Sequence, residues 1–400
     1  MTGRLRVGVA GVYGHGRSHV DATLARSSRL ELVAVADPRG GGDVPDATRV
    51  FDDAADMLRD VDLDIAILST PIPTHAELAA LALRRGAHVL LEKPPVPSVA
   101  EHRALMGEVD AASRAVQVGF QSLGSAGVPV AAELAASGII GDVLHYGAVG
   151  LWTRSEEYWR RAPWAGHRVI DGRLVADGVV TNPLAHAIAT AFAIAGAASP
   201  DDVVDVETDL RRANDIATDD TSSLVVALRG GARLAAGLAV TAARRHEPYV
   251  LVRGTRGHLV YHYTLDTLHV FRDDRPLPRT YEFGRVALID DLVAHMRDGS
   301  DLVAPLARTG AFTRVLEAVV SGPAPAPLDG ALVTASEHDG ETFRVVAGVE
   351  EAAEAVAWQG GTFRELGLLC PTPSRASGAD ADDRRRVVVD RSRRVAHHER

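Results

Sequence analysis

The first 120 residues switch repeatedly between two hydrophobic periods, and this switching constrains the fold more than any other feature of the chain. Leu5–Ala10 reads as a buried strand, Ser18–Arg26 as a helix turning Val20 and Leu24 inward, and Leu30–Ala36 as a second strand. Ile65–Ser69 is a third clear strand, followed by a helix over Thr74–Arg85 that Gly86 ends. Val89–Leu91, Ser98–Ala112 and Ala115–Val118 continue as strand, helix and strand. Apolar strands without polar alternation, each followed by a helix, call for a parallel sheet covered on both faces.

Beyond about residue 125 the rhythm changes. A helix over Val130–Ala136 leads to a long strand at Val143–Leu151, then to an irregular segment rich in Trp, Arg and Gly. Pro183–Ala195 is strongly helical. Strands follow in series at Val203–Arg211, Ser222–Leu228, Arg233–Thr241, Tyr249–Arg253 and His258–Tyr263, and their short connections suit antiparallel pairing. Helices resume at Arg285–Arg297, Thr309–Val320 and Val349–Ala357. The expected architecture is an α/β Rossmann domain over residues 1–123, then an α+β domain over 124–369 with a mainly antiparallel open sheet. A disordered tail over 370–400 completes it, since Pro, Ser, Gly, Asp and Arg dominate there.

Composition narrows the class. No apolar run reaches the roughly 18–20 residues of a spanning helix, and Val7–Ala10 begins a strand without a signal-peptide core before it. Cys370 is the lone cysteine, so an intramolecular disulfide and a cysteine zinc site are excluded. A net charge of −10 argues against a nucleic-acid surface. The cluster Arg384–Arg386 with Arg391, Arg393 and Arg394 reads as a solvated tail. The expectation is a cytoplasmic protein with no membrane and no nucleic-acid partner. Its histidines are scattered, so no metal is expected.

One count is more pointed. Of 43 basic residues, Lys93 is the sole lysine and every other is arginine. A coding bias toward arginine explains the exchange wherever positive charge suffices. Its failure at Lys93 marks a place where a compact ammonium with a tunable pKa is needed.

Between the first strand and first helix lies Gly11-Val12-Tyr13-Gly14-His15-Gly16, where a Rossmann fold binds pyrophosphate. The usual G-x-G-x-x-G would put its middle glycine at 13, where this chain has Tyr13, with Gly14 beside it. Asp37 ends the second strand about 20 residues on, the place for a carboxylate on the adenosine ribose. It favours NAD over NADP, and Arg39 offsets that preference. NADP therefore stays open.

Ser69-Thr70-Pro71-Ile72-Pro73-Thr74-His75, Glu92-Lys93-Pro94-Pro95 and Val118-Gly119-Phe120-Gln121 follow successive strands. In this order the set resembles the Gfo/Idh/MocA family, that of glucose–fructose oxidoreductase and inositol dehydrogenase. The likeness runs from Arg4 to Phe363–Gly367. The resemblance implies an NAD(P)-dependent oxidoreductase acting on a secondary alcohol of a sugar or polyol, working as a homodimer or homotetramer. By resemblance Lys93 sits beside the nicotinamide and substrate hydroxyl, Glu92 near the nicotinamide ribose, and Thr70, Pro71 and His75 against the cofactor. An ammonium at that oxygen would stabilise the alkoxide character that builds as hydride leaves.

The family's Asp-x-x-x-His pair corresponds to Asn182-Pro183-Leu184-Ala185-His186. The spacing expects both side chains on one helix face, with His186 as the base and Asn182 orienting it. Asn182 before Pro183 is equally a helix cap. Upstream, Asp177 is a conceivable replacement carboxylate. Arg154, Trp164 and Arg168, among Tyr158, Trp159, His167 and Asp171, are candidate sugar contacts, since rings stack on sugar faces and Arg bonds hydroxyls. The departures at Tyr13 and Asn182 also fit a catalytically silent nucleotide- and sugar-binding regulator, and the resemblance also admits a redox-neutral sugar enzyme that reduces bound NAD only transiently.

Overall fold

The structure is a computed structural model that describes residues 3–370. The expected disordered tail, with its arginine cluster, lies outside the described residues beyond Cys370.

The first domain is a six-stranded parallel sheet. Its strands are β1 (Leu5–Ala10), β2 (Leu30–Ala36), β3 (Arg49–Phe51), β4 (Ile65–Leu68), β5 (His88–Leu91) and β6 (Val116–Val118). Helices α1 (His15–Leu24), α2 (Ala54–Asp60), α3 (His75–Arg84) and α4 (Val99–Ala112) connect them. All four residues of β4 are buried, as a sheet covered on both faces requires. The strand order is β3-β2-β1-β4-β5-β6. Chain direction across the sheet therefore reverses between β1 and β4. The crevice at such a switch point, beyond the carboxyl ends of the strands, is where ligands enter open α/β sheets. Both the Gly11–Gly16 turn and the Ser69–Thr74 turn stand at its rim.

The second domain begins with α5 (Gly127–Ala136) and β7 (Val143–Leu151). A small hairpin of β8 (Val169–Ile170) and β9 (Arg173–Leu174) precedes α6 (Ala185–Ala195). Next come β10 (Val203–Arg212), β11 (Thr221–Leu228), β12 (Arg233–Ala239), β13 (Tyr249–Gly254), β14 (Gly257–His262), β15 (Thr267–Arg272) and β16 (Arg279–Glu282). The chain continues through α7 (Leu288–Asp298), α8 (Gly310–Ser321), β17 (Ala326–Pro327), the hairpin β18 (Val333–His338)–β19 (Glu341–Val346), and α9 (Val349–Gln359). The large sheet runs β16-β15-β14-β13-β7-β12-β11-β10-β17. Its pairs are antiparallel except β7 with β12 and β10 with β17. Helix α6, of sequence AHAIATAFAIA, is apolar almost all round and buried to match. It sets His186 at the mouth of the crevice.

Two expectations change. Helix α6 starts at Ala185, with Leu184 as its cap residue and no side-chain cap bond. Asn182 thus stands in the turn before the helix, neither capping it nor sharing its face with His186. Further, the chain returns to the first domain after residue 284. Arg26 and Arg29, in the turn between α1 and β2, pair with Asp290 of α7 at 2.5 and 2.7 Å. Gln117 Nε2 donates to Asp291 at 2.6 Å, and the Val118 N–H donates to the Ala304 carbonyl at 2.8 Å. A single boundary near 124 misses this return.

Candidate active site at the switch point

The turn after β1 is built for a ligand to approach its backbone. Gly11 has φ +78°, and a Cβ there would lie 2.3 Å from the Ser69 carbonyl oxygen. A Cβ on Gly16 would lie 1.8 Å from the Gly11 oxygen. Both glycines are sterically compulsory. At Gly14 (φ +59°) an added Cβ would meet nothing within 4 Å, so that face of the loop is open. No side chain caps α1; the Gly16 and Arg17 N–H groups close onto the Tyr13 and Gly14 carbonyls at 3.1 and 3.2 Å, and the positive end of the helix dipole faces the turn where a phosphate would sit. These residues fit a dinucleotide. Gly16→Ala should therefore weaken NADH binding at least about tenfold, by pushing the loop off its geometry; a fluorescence titration measures it.

Tyr13, where a glycine is usual, turns aside. Its hydroxyl donates to the Arg39 carbonyl oxygen at 3.3 Å, and the Arg39 guanidinium stacks 4.2 Å from its ring centroid. Asp37 is buried at the end of β2. Its carboxylate accepts the Val12 N–H (3.2 Å), the Arg39 N–H (3.0 Å), and Arg39 Nε and Nη2 (3.0 and 3.2 Å). Burial alone would raise its pKa, but the Arg39 bonds hold it below the usual value. A ribose that uses this carboxylate must displace the exposed Arg39 side chain.

Lys93 is half-buried beyond β5, and it reaches across to the second domain. Its ammonium donates to Asn182 Oδ1 at 2.5 Å and to the Asn182 carbonyl at 3.0 Å. Asn182 Nδ2 in turn donates to Asp177 Oδ1 at 2.5 Å. Asp177 is buried and also accepts Arg161 Nη2 (2.8 and 2.9 Å) and the Gly166 N–H (2.9 Å). Asn182 therefore orients the lysine, not the histidine, and Asp177 supplies negative charge one amide away. Burial lowers the Lys93 pKa, while the charges of Glu92 and Asp177 oppose that shift.

His186 meets Ser122 instead, with Nδ1 3.3 Å from Ser122 Oγ. Thr190 Oγ1 donates to Ser122 Oγ at 2.9 Å, which leaves the serine proton available to the ring. The His186 ring also stands edge-on to Phe120, with centroids 5.6 Å apart. Burial, followed by the Lys93 ammonium, pushes its pKa down to about 3. It is a neutral imidazole near neutral pH.

Glu92 is buried and accepts from His19 Nε2 (2.8 Å), His15 Nε2 (3.2 Å) and the Lys93 N–H (3.1 Å). Burial would raise its pKa, yet the two imidazoles hold it well below the carboxylate range. Bonding to Glu92 raises the pKa of His15. His75, expected against the cofactor, is instead fully buried, with Nδ1 3.0 Å from the Pro94 oxygen and Nε2 2.7 Å from the Thr70 oxygen. It staples the Thr70–Pro71 turn to the turn after Lys93. Thr70 and Pro71 keep part of their surface at the rim.

The aromatic segment divides in two. Arg154 stacks on Trp152 and Tyr158, both at 5.1 Å, and Arg161 stacks on Tyr158 at 3.8 Å and Trp164 at 4.6 Å. Arg161 ties this ladder to the Lys93 network through Asp177. Arg168 does not join it. Its guanidinium donates to the carbonyls of Val319, Val320, Gly322 and Pro323 at 2.7–3.1 Å. It caps the carboxyl end of α8, so the substrate role expected for it is withdrawn. Sequence reasoning also passed over Arg161, Ser122 and His19; only His19, four residues after His15, carried a visible signal.

Residues 5–120 match the family model described as an oxidoreductase family with an NAD-binding Rossmann fold, Gfo/Idh/MocA. An inositol 2-dehydrogenase of Rubrobacter xylanophilus is 34% identical over 143 residues, covering 34% of this chain and 41% of that protein. The rhizopine catabolism protein MocA of Rhizobium meliloti is 30% identical over 120 residues, or 29% of this chain and 38% of that protein. These matches thus span about two fifths of the length of the curated relatives. The WlbA dehydrogenase from Bordetella pertussis, solved with NADH and UDP-GlcNAcA, superposes with a TM-score of 0.63 at 21% identity, covering 82% of this chain and 100% of that one. An aldose–aldose oxidoreductase from Caulobacter crescentus, complexed with glycerol, gives 0.63 at 17% identity, covering 80% of this chain and 97% of that one. These likenesses establish the two-domain fold.

Proposed function

We propose that this chain, whose residues 5–120 belong to the Gfo/Idh/MocA family of NAD-binding Rossmann oxidoreductases, moves hydride at a secondary alcohol carbon of a sugar, polyol or sugar derivative. The observation that carries this reading is Lys93, the sole lysine, held across the crevice by Asn182 at 2.5 Å. The backbone at Gly11, Gly14 and Gly16 would hold the pyrophosphate, Asp37 the adenosine ribose, and Thr70–Pro71 the nicotinamide end. Bound there, the dinucleotide supplies the hydride acceptor.

The protein's own residues handle the proton. As the carbinol C–H bond breaks, the hydroxyl proton passes to the neutral form of Lys93 Nζ, the form that burial favours. In the reverse direction the ammonium returns it. Asn182 accepts from Nζ and fixes its direction, and Asp177 stabilises the positive charge that Nζ gains. His186, neutral and bonded through Ser122, serves as a hydrogen-bonding partner for the substrate rather than as a strong base. Arg154, Trp164 and the adjacent rings border the space for the sugar. No helix among the described residues is long and apolar enough to cross a membrane. A cytoplasmic homodimer or homotetramer completes the proposal, on the resemblance of the chain.

Titrating the full chain with NADH and NADPH, followed by tryptophan fluorescence, tests the reading. Saturable binding, tighter for NADH, is expected, with NAD reduction in a screen of inositols, aldoses and uronic acids. Failure to bind either dinucleotide would remove the dehydrogenase assignment. Binding without turnover of any polyol would favour the regulatory alternative.

A further inference from the structure

His15 and His19 stand one turn apart on α1 and present both Nε2 atoms to the same oxygen of Glu92, at 3.2 and 2.8 Å. The three atoms lie within 4.8 Å of one another. The two rings meet edge-on with centroids 5.1 Å apart, so they approach the carboxylate from different directions. A tetrahedral zinc ion with bonds of about 2.0–2.1 Å separates its ligand atoms by roughly 3.3 Å. The glutamate–histidine distances, 2.8 and 3.2 Å, fall just short of that spacing. His15 is largely exposed and can shift to close the remainder, while Glu92 is fixed at the end of β5.

Charge points the same way. Among the described ion pairs, Glu92 meets histidines only, with no lysine or arginine side chain within 4 Å. The two imidazoles already stabilise this buried carboxylate, and a divalent cation held by the same three atoms would replace their hydrogen bonds with coordination bonds. The Gln121 amide nitrogen lies 3.3 Å from His15 Nε2. With the amide turned over, its oxygen could serve as a fourth donor.

We propose that His15, His19 and Glu92 form a binding site for a divalent transition-metal ion of the zinc class. The site differs from the expectation of no metal, because the sequence places His15 and His19 more than 70 residues from their third partner. A metal there ties the first turn of the phosphate loop helix to the residue preceding Lys93. The proposal does not depend on the redox reading, since metal alone is the probe.

The full chain, stripped with chelator and free of dinucleotide, is titrated with Co2+ by visible absorption and with Zn2+ by calorimetry. One equivalent with tetrahedral cobalt bands is expected, falling at least roughly tenfold in affinity in both His15→Ala and His19→Ala. His15 is exposed, so its variant keeps the fold even if the other does not, and a chelator-treated melt confirms that. Absence of binding in the wild type would overturn the proposal. So would binding that His15→Ala leaves unchanged, because the metal would then sit on other histidines.

Discussion

Lys93→Met is expected to lower kcat by about 10³-fold or more while NADH affinity changes by less than about threefold. Methionine keeps the length of the side chain and its fit between the two domains but removes the amine. What disappears is the group that takes the proton and stabilises charge on the substrate oxygen. The Asn182 oxygens lose their donor, a cost of about 1 kcal/mol that falls on the local network and not on the dinucleotide, which leans on the loop at Gly11–Gly16. Lys93→Arg is no rescue. A guanidinium is wider, stays charged and cannot take up the hydroxyl proton. Stopped turnover with intact NADH binding therefore separates a chemical role from a structural one. A variant that turns over at the wild-type rate would take Lys93 out of the reaction.

How much of this was legible in the sequence depends on the distance between cause and contact. Leu30–Ala36 and Val143–Leu151 were read to the residue, because an apolar strand announces itself within its own span. The short β3 and the hairpin β18–β19 were not read: β3 has only three residues, and the hairpin is largely exposed, so neither shows a strong pattern. Lys93 was legible through the bias that spared it. Asn182 was found but given the wrong partner. Four-residue spacing implied a shared helix face, whereas the helix begins only at Ala185 and Asn182, in the turn before it, faces Lys93. Arg168 misled in another way. Its neighbours were aromatic in sequence, but its guanidinium goes to the carbonyl end of α8 some 150 residues away. Contacts across such separations are set by how the domains pack, which one-dimensional pattern does not encode.

Acidification should unfold this protein early, between pH 6.5 and 4, before most carboxylates titrate. Burial pushes His186 down to about 3 and His88 down to about 4, the latter helped by the nearby Arg114. Burial also lowers His75 and His102. For His88 the structural cause is explicit: its Nδ1 accepts the Ala115 N–H at 3.1 Å, a bond that protonation destroys. In the unfolded chain these rings titrate near 6.5. Through the window the unfolded state thus binds more protons than the native one. Stability is fully present above about pH 6.5 and drains as pH falls toward the native pKa values. Each unit of separation is worth about 1.4 kcal/mol, discounted for His88, whose ring is partly open to solvent. Together the loss is on the order of 5 kcal/mol, comparable with the whole stability of many domains. His15, raised by Glu92, and the buried Asp219 and Asp220, raised by burial, act in the opposite direction and soften the slope. Urea midpoints at stepped pH measure it, provided the denaturant slope stays constant. His88→Gln isolates one contribution: glutamine can accept the same N–H and does not titrate, so its midpoint should fall less steeply below pH 6. A midpoint that is flat from pH 7 to 4.5 in the wild type would mean that these histidines are already accommodated as cations in the folded chain.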